Sequence, residues 1–558
     1  MDLTDLQAIR RDKADALRGL GRDPYAIRSA RTHAAAGAAE RFTALEATAE
    51  PGIQGVEDEE PVTVAGRIVS RRDMGKTVFA HLEDGSGRIQ LYLRANDLGQ
   101  EELDRFVALV DLGDVVQATG TLFRTRTGEI SLRATELAVL TKALNAPPAD
   151  WYGVQDIELR YRQRYVDLIA SQDVRRVFET RSRLVAAIRR FLDGEDFLEV
   201  ETPTLQPLYG GAAAKPFTTF HNGLGQTFYL RIADELYLKR LIVGGFERVY
   251  EICKDFRNEG FDRNHSPEFT MLEWYEAYGD YHTVADRLER LLNAVARHVL
   301  GGPTFTYQGH AIDLTPPWPR RTLREAIREH SGIDYREFPP LDQNSDEYRY
   351  SVERPAEPLL TAARAAGADI ETGAVWPRIV DELLKQFVRP HLIRPTLLVD
   401  YPVELSPLAK RKPDDPTHVE RFQLYVGGGE YANAFTELND PLDQLARFQA
   451  QQVDREAGDQ DAMPIDLDYV AALMYGMPPT GGIGIGIDRL TMLFTDQSTI
   501  RDVILFPAMR SLPPADASAD ALSPRINADA STDAPEPARR LPNAAEQGVG
   551  EIGDVEGE

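Results

Sequence analysis

The chain has 558 residues, with 63 Lys and Arg against 89 Asp and Glu, for a formal net charge of −26. At roughly 150 residues per domain this length calls for two or three domains, and a hydrophobic content of 42% is ample for their cores. A single cysteine excludes a disulfide scaffold and any multi-cysteine metal cluster, no apolar run reaches the ~18 residues of a membrane helix, and MDLTDLQAIRRDK is charged from residue 2, unlike a secretory signal, so the expected location is the cytoplasm.

Residues 1–60 read as an N-terminal helical extension. Leu6, Ile9, Ala16 and Leu17 recur at helical spacing, and Val56–Glu60 reads as an acidic loop. Whether the helices touch RNA or only pack is left open by the pattern. Residues 61–143 hold 11 basic and 11 acidic residues, so the acidity lies further along and this portion is free to meet a polyanion. The runs VTVAGRIVSRR, TVFAHLEDGSGRIQLYLR, DVVQATGTLFRTRTGEISLRA and TELAVLTKA predict short strands broken by DGSG and RTGE turns, with EELDRFVALV as a helix among them. Five strands with a helix after the third predict an OB-fold barrel over 61–145. Phe79 and Gln90 fall in consecutive strands and Glu129 after a turn, an aromatic for stacking beside polar groups for base edges. A barrel that binds nothing, with Phe79 in its core, fits the same spacing. Residues 146–170 form a Pro-containing linker into a charged helix, 171–510 form a large mixed region, and 511–558, with 10 acids, 3 arginines and few apolar residues, read as a disordered acidic tail.

Four segments of the mixed region carry chemistry. In RVYEICKDFRNEGFDRNHSPEFTMLEWYEAYGDY, residues 248–281, two predicted strands flank a loop. Period-two alternation puts Arg257 with Glu259 on one face and Phe269, Met271, Glu273 and Tyr275 on another. The Arg257 guanidinium suits phosphate or carboxylate, Phe269 suits a purine ring, and His265 in the loop can reach a distal phosphate. In GGIGIGIDRLTMLF, residues 481–494, Gly482, Gly484 and Gly486 leave one strand face bare for a flat ligand, and Arg489 opens a helix where it can stack on a purine. In GGGEYANAFTELNDP, residues 427–441, Glu430, Asn433, Phe435 and Glu437 suit Mg²⁺ or an ammonium group. In residues 210–249, Gly210 and Gly211 permit close approach, and Glu235 heads a helical run as an amine-binding carboxylate or a dipole-favoured acid.

These segments together resemble the class II aminoacyl-tRNA synthetases, and among them the lysine type of the aspartate/asparagine/lysine subgroup. FLEVETPTLQ with Pro203, FRNEGFDRNHSPEFT and GIGIGIDRL stand as the three class motifs. The resemblance implies an α+β chain, an N-terminal OB-fold anticodon barrel followed by a catalytic domain on a large antiparallel sheet flanked by helices, and a homodimer with the first motif at its interface. ADELYLKR stands where aspartyl enzymes carry a QSPQ-type signature, and the site offers carboxylates rather than cations, which points to L-lysine. By this resemblance Glu235 holds the α-ammonium and Arg257 the α-carboxylate. Glu273, Tyr275 and Glu437 hold the ε-ammonium, and Gly211, Asn433 and Phe435 line the pocket. For ATP, Arg257 meets the α-phosphate, Glu259 the adenine amino group, and His265 and Arg489 the γ-phosphate. Phe269 and Arg489 sandwich the adenine over Gly484 and Gly486, and Glu430 holds Mg²⁺. Arg257 and Arg489 are the catalytic residues. Phe79, Gln90 and Glu129 read the anticodon of tRNA(Lys), with Arg71 and Arg72 as neighbours. The implied reaction makes lysyl-adenylate and pyrophosphate, then lysyl-tRNA and AMP.

The chain departs from the pattern at Gln423, seven residues before Glu430, where lysine enzymes usually place a metal-binding acid, and at Met474, where a glutamate is common. An amide oxygen still ligates Mg²⁺, with one charge fewer. Two other functions compete: a relative that lysylates a protein, which generally lacks the barrel, and a tRNA-binding regulator with an inactive catalytic domain.

Overall fold

The structure is a computed structural model that describes residues 3–48, 56, 58, 60–148, 154–260, 262–338, 357–456 and 463–511. The predicted tail lies outside these residues from 512 on, as do Phe261 of the motif loop and parts of the acidic loop and linker.

Helices α1 (Asp5–Gly19) and α2 (Ala35–Thr48) lead into strands β1 (Val62–Asp73), β2 (Thr77–Asp84) and β3 (Gly87–Arg94). Helices α3 (Ala95–Leu98) and α4 (Gln100–Leu109) follow, then β4 (Val115–Arg124) and β5 (Ile130–Thr141). The five strands close in the order β1-β2-β3-β5-β4. Strict alternation in β2 sends Val78, Ala80 and Leu82 into the barrel core and Phe79 and His81 outward. Phe79 is therefore not a core residue.

The predicted face of α1 is rotated. Leu6 and Ile9 are 49% and 55% exposed, whereas Gln7, Arg10, Ala14 and Leu17 are buried. Polar bonding decides the rotation: the Arg10 guanidinium donates to the carbonyls of Leu112 and Ala143, and the Gln7 amide to Asn145. These bonds tie α1 to the barrel's end and turn its polar residues inward, which leaves the two aliphatic side chains exposed.

Beyond the linker, α5 (Gln172–Gly194) leads to a sheet of eight strands: β6 (Leu198–Glu199), β7 (Arg248–Phe256), β8 (Glu268–Ala277), β9 (Arg320–Thr322), β10 (Thr396–Pro402), β11 (His418–Val426), β12 (Gly429–Thr436) and β13 (Thr480–Gly486). Their order is β9-β10-β11-β12-β13-β8-β7-β6. The sheet is antiparallel from β10 to β7, but both edge pairs, β9 with β10 and β6 with β7, are parallel. Those two edge strands are three and two residues long, too short to announce themselves in a sequence pattern.

Alternation gives this sheet two different faces. Tyr250, Leu272, Trp274, Phe422, Leu424, Ala432, Ala434, Ile483 and Ile485 pack with α5 and with the helices α7 (Tyr281–Leu300) and α8 (Ile487–Thr495) into the main core. The residues between them point the other way, toward helix α6 (Glu235–Val243) and the cavity described next. A second apolar cluster, built around Trp376, Ile379 and Leu383, covers the β10–β11 end.

Candidate active site

The register places side chains far apart in sequence in rows across one face. Phe435, Gly482 and Tyr275 form one row of β12, β13 and β8, and Asn433, Gly484 and Glu273 form the next. On β11, Arg421 and Gln423 stand opposite Phe435 and Asn433. Above this face lies a cavity of about 520 Å³, the size of a small-molecule site. Its floor depends on glycine. A Cβ at Gly482 would collide with the Glu437 carboxylate and the Tyr275 ring, and one at Gly484 would stand 2.9 Å from Met271 Cε. Gly211 closes one wall at φ +89, where a Cβ would be strained and only 3.0 Å from that of Ala233.

One end of the cavity is a cluster of buried carboxylates. Glu235, Glu273 and Glu437 are 6%, 6% and 1% exposed. Glu437 meets the Lys239 ammonium with one oxygen, and its other oxygen, Oε1, lacks a hydrogen-bond donor among the described residues. Glu273 accepts from the Tyr275 hydroxyl at 2.8 Å. Burial, reinforced by Glu235 and Asp255, pushes the Glu273 pKa up to about 8. Burial also raises those of Glu235 and Glu437, against the pull of Lys239. Behind this end, Asp234, Cys253 and Asp255 bring potential ligand atoms within 4.8 Å of one another, but Arg231 already supplies a cation there, 3.4 Å from Asp255 and 2.7 Å from Glu251.

The other end is cationic and aromatic. Arg257 and Glu259 lie just past the end of β7, in the loop rather than on one strand face as predicted, and both line the cavity. The sheet pairing stops at Phe256, although the Arg257 amide still donates to the Pro267 carbonyl. The Arg257 guanidinium sits 5.0 Å from the Phe269 ring centre, and its Nε donates to the Ile232 carbonyl at 3.3 Å. Arg489, in the first turn of α8, donates to the Glu430 carbonyl at 3.2 Å and faces His265 Nε2 at 3.1 Å. Since Arg489 only donates, Nε2 accepts, and Nδ1 carries the proton it shares with Asp262 at 2.8 Å. Phe269, Glu430, Asn433, Phe435 and Gly486 complete the lining.

Gln423 does not offer its oxygen to a metal. Its amide oxygen accepts from Tyr401 at 2.6 Å and from Tyr425 at 2.9 Å, which uses both lone pairs, and its NH₂ donates to Glu430 at 2.9 Å. The opposite amide orientation would set oxygen against a carboxylate. Of the two expected ligands, only Glu430 carries a carboxylate and lines the cavity. One carboxylate suits Mg²⁺ carried in on a polyphosphate, because that ion keeps most of its water and phosphate ligands. Met474 is exposed, and nothing in the structure explains its departure from glutamate.

On the barrel, Gln90 Nε2 donates to Glu129 at 2.6 Å, and His81 meets the same carboxylate at 2.7 Å. Phe79 lies opposite Tyr92, with ring centres 5.1 Å apart, and Tyr92 is 5.4 Å from Phe123. Sequence reasoning missed Tyr92, Phe123 and His81, although strand alternation in YLR and TLFR carried the signal. Arg72 is opposite Phe79. Arg71 points to the other side and donates to the carbonyls of Val107 and Val110, so it is no neighbour of the aromatic face.

Two family models match this division of the chain: tRNA synthetases class II (D, K and N) over residues 156–510, and the OB-fold nucleic acid binding domain over 62–140. The chain belongs to the class II tRNA synthetases of that group and is an aminoacyl-tRNA synthetase with an OB-fold domain. The lysine–tRNA ligase of Chloroflexus aurantiacus is 52% identical, that of Roseiflexus castenholzii 54% and that of Pelotomaculum thermopropionicum 50%. Each alignment covers 91% of this chain, and 99%, 99% and 96% of the respective relative.

Proposed function

We propose that the chain is a lysine–tRNA ligase, which activates L-lysine with ATP and transfers it to tRNA(Lys). The observation that carries the choice of amino acid is the buried Glu437 carboxylate, which has one oxygen on Lys239 and the other without a donor, beside Glu273 and Glu235. An ammonium group supplies the missing hydrogen bonds and charge, whereas a neutral side chain leaves them unmet. Glu235 takes the α-ammonium, and Glu273, Tyr275 and Glu437 take the ε-ammonium. Gly211, Asn433 and Phe435 shape the walls.

Arg257 binds the substrate carboxylate and the α-phosphate together, which brings nucleophile and electrophile into contact. Phe269 and Arg489 hold the adenine over the bare strand, Glu259 reads its amino group, and His265 with Arg489 receives the γ-phosphate. A lysine carboxylate oxygen attacks the α-phosphorus, the bond to the bridging oxygen breaks, and pyrophosphate leaves. A carboxylate needs no general base, so positioning and charge stabilisation by Arg257 and Arg489 carry the step. Glu430 would hold Mg²⁺, which when bound supplies positive charge to the phosphates. The terminal ribose hydroxyl of tRNA then attacks the lysyl carbonyl and AMP leaves. A homodimer is part of the proposal, supported by Leu198, on the edge strand β6, and Leu205 of the first motif, each 48% exposed. So is a cytoplasmic location, where the three substrates meet. Among the described residues no helix is long and apolar enough to cross a membrane.

The gathering of Arg257, Glu259, Phe269, Glu430 and Arg489 round one cavity weighs against an inactive regulator, and the barrel weighs against a protein-lysylating relative. The direct test is charging of a tRNA(Lys) transcript with labelled lysine in the presence of ATP and Mg²⁺. Stable lysyl-tRNA is expected, and none with aspartate.

Three further outcomes are expected. Phe79→Ala removes one stacking ring and weakens tRNA binding by ~1–3 kcal/mol while sparing adenylate formation; an unchanged tRNA affinity in a filter-binding titration would place the anticodon elsewhere. Glu273, with its pKa at about 8 in the free site, holds a proton at neutral pH that an incoming ammonium displaces. Lysine affinity therefore rises with pH and levels off above that value. A flat affinity between pH 6 and 8, measured calorimetrically, contradicts this. Gln423→Glu replaces the 2.9 Å amide–carboxylate bond by two facing carboxylates, so its melting temperature falls without Mg²⁺ and recovers with it. A variant as stable as the parent without Mg²⁺ would refute that account of the pair.

A further inference from the structure

We propose that Lys239 is the positioning residue of the amino-acid end of the cavity: its ammonium bridges Glu235 and Glu437 and holds both carboxylates charged and in place for the substrate's two ammonium groups. The inference rests on the lysine reading above.

The observation begins in α6. Glu235 and Lys239 are four residues apart, one turn on the same face. The Lys239 side chain is 0% exposed, and its Nζ forms ion pairs with Glu235 and with Glu437, itself 0% exposed by side chain. Lys239 is not among the residues that line the cavity. It lies behind the wall, yet it touches four residues of that wall: the two glutamates, the Tyr275 ring at 5.8 Å and the Phe435 ring at 5.3 Å.

A purely structural ion pair would saturate its carboxylates. Here Lys239 engages one oxygen of Glu437, and the other, Oε1, remains without a hydrogen-bond donor among the described residues. Lys239 thus neutralises part of the charge and leaves that oxygen for an incoming ammonium. Burial pulls the Lys239 pKa down, but Glu235 and Glu437 outweigh it and the ammonium stays charged. The other charged or titratable groups around the pair are Tyr275 and Glu273 on β8, Tyr469 on the neighbouring helix Leu467–Met474, and Arg421 on β11, which attracts Glu235. Among the described residues Lys239 is the cation that acts on Glu437. Without it, two buried carboxylates face each other and one takes a proton at neutral pH. A protonated carboxyl cannot hold an ammonium as a carboxylate does.

The test measures lysine KM and kcat in pyrophosphate exchange from pH 6.5 to 8.5 for the wild type, K239M and K239R. At pH 7 the lysine KM of K239M is expected to rise about 30-fold or more, the loss typical of a disrupted buried charge pair. It should fall severalfold toward pH 8.5 as the carboxylates ionise, with kcat little changed. K239R should restore most of the affinity. The ATP KM, unchanged throughout, reports a folded site. A KM raised equally at every pH, or K239R as defective as K239M, would mark a packing role and overturn the proposal. A measurement on the wild type does not depend on how the variants fold: calorimetry in buffers of different ionisation enthalpy should show at most one proton, that of Glu273, released per lysine bound at pH 7. Two protons would mean that Glu235 or Glu437 is neutral in the free site and would also overturn it. A wild type that binds no lysine would instead refute the lysine reading itself.

Discussion

Replacing Arg257 by alanine is expected to slow adenylate formation about 10³-fold, the loss typical when a donor aimed at developing transition-state charge is removed. On the proposed reading Arg257 serves both reactants. Its guanidinium stands 5.0 Å from the Phe269 ring centre, and its Nε donates to the Ile232 carbonyl. The fold should survive, because Arg257 loses a backbone carbonyl, a ring face at the cavity wall and an attraction to Asp255, which keeps Arg231 as a cation. Arg257→Lys should recover little, since an ammonium cannot bridge two oxyanions as a planar fork does. Lysine-dependent exchange and a melting curve on the same preparation check the prediction. A loss below tenfold in a folded protein would remove Arg257 from the transition state.

The second large effect is expected from Glu437→Gln. The amide keeps the shape but cannot balance an ammonium, and it leaves Lys239 with one carboxylate instead of two. Truncating one partner of a buried charge pair costs about 2–5 kcal/mol, so the lysine KM should rise by roughly 30- to 5,000-fold. The ATP KM should not follow, because the nucleotide end shares no hydrogen bond with Glu437. Steady-state kinetics with each substrate varied in turn decide this. An unaltered lysine KM would mean that Glu437 is a core acid rather than part of the substrate site.

Both effects fall on residues legible in the sequence as parts of motifs, although each lies one residue past a strand end, Arg257 after β7 and Glu437 after β12; the cavity floor itself is carried by strands. Period-two alternation in FTMLEWY and GGIGIGI already separates Glu273 and Tyr275 from Leu272 and Trp274, and the glycines from the isoleucines. The fold divides them in the same way. The register that sets Asn433, Gly484 and Glu273 side by side was not legible, because it links strands separated by hundreds of residues. Lys239 was missed for a related reason. Its spacing from Glu235 is visible, but its second partner, Glu437, comes from the end of β12, far along the chain. Arg10 and Arg71 show the opposite failure. Both look like surface cations, yet each is used up on buried backbone carbonyls, a demand that depends on where a loop ends in space. Gln423 was legible as a departure but not as a network, since Tyr401 lies on a different strand from Gln423 and Glu430.

The central claim is that this cavity activates lysine and selects it by its second ammonium group. Amino-acid-dependent exchange of pyrophosphate into ATP, run with lysine, aspartate, asparagine and norleucine, tests it most directly. Exchange is expected with lysine alone, and norleucine, which keeps the chain but lacks the ε-ammonium, should stay at background. Exchange with aspartate or asparagine, or with norleucine at a rate near that of lysine, would contradict it.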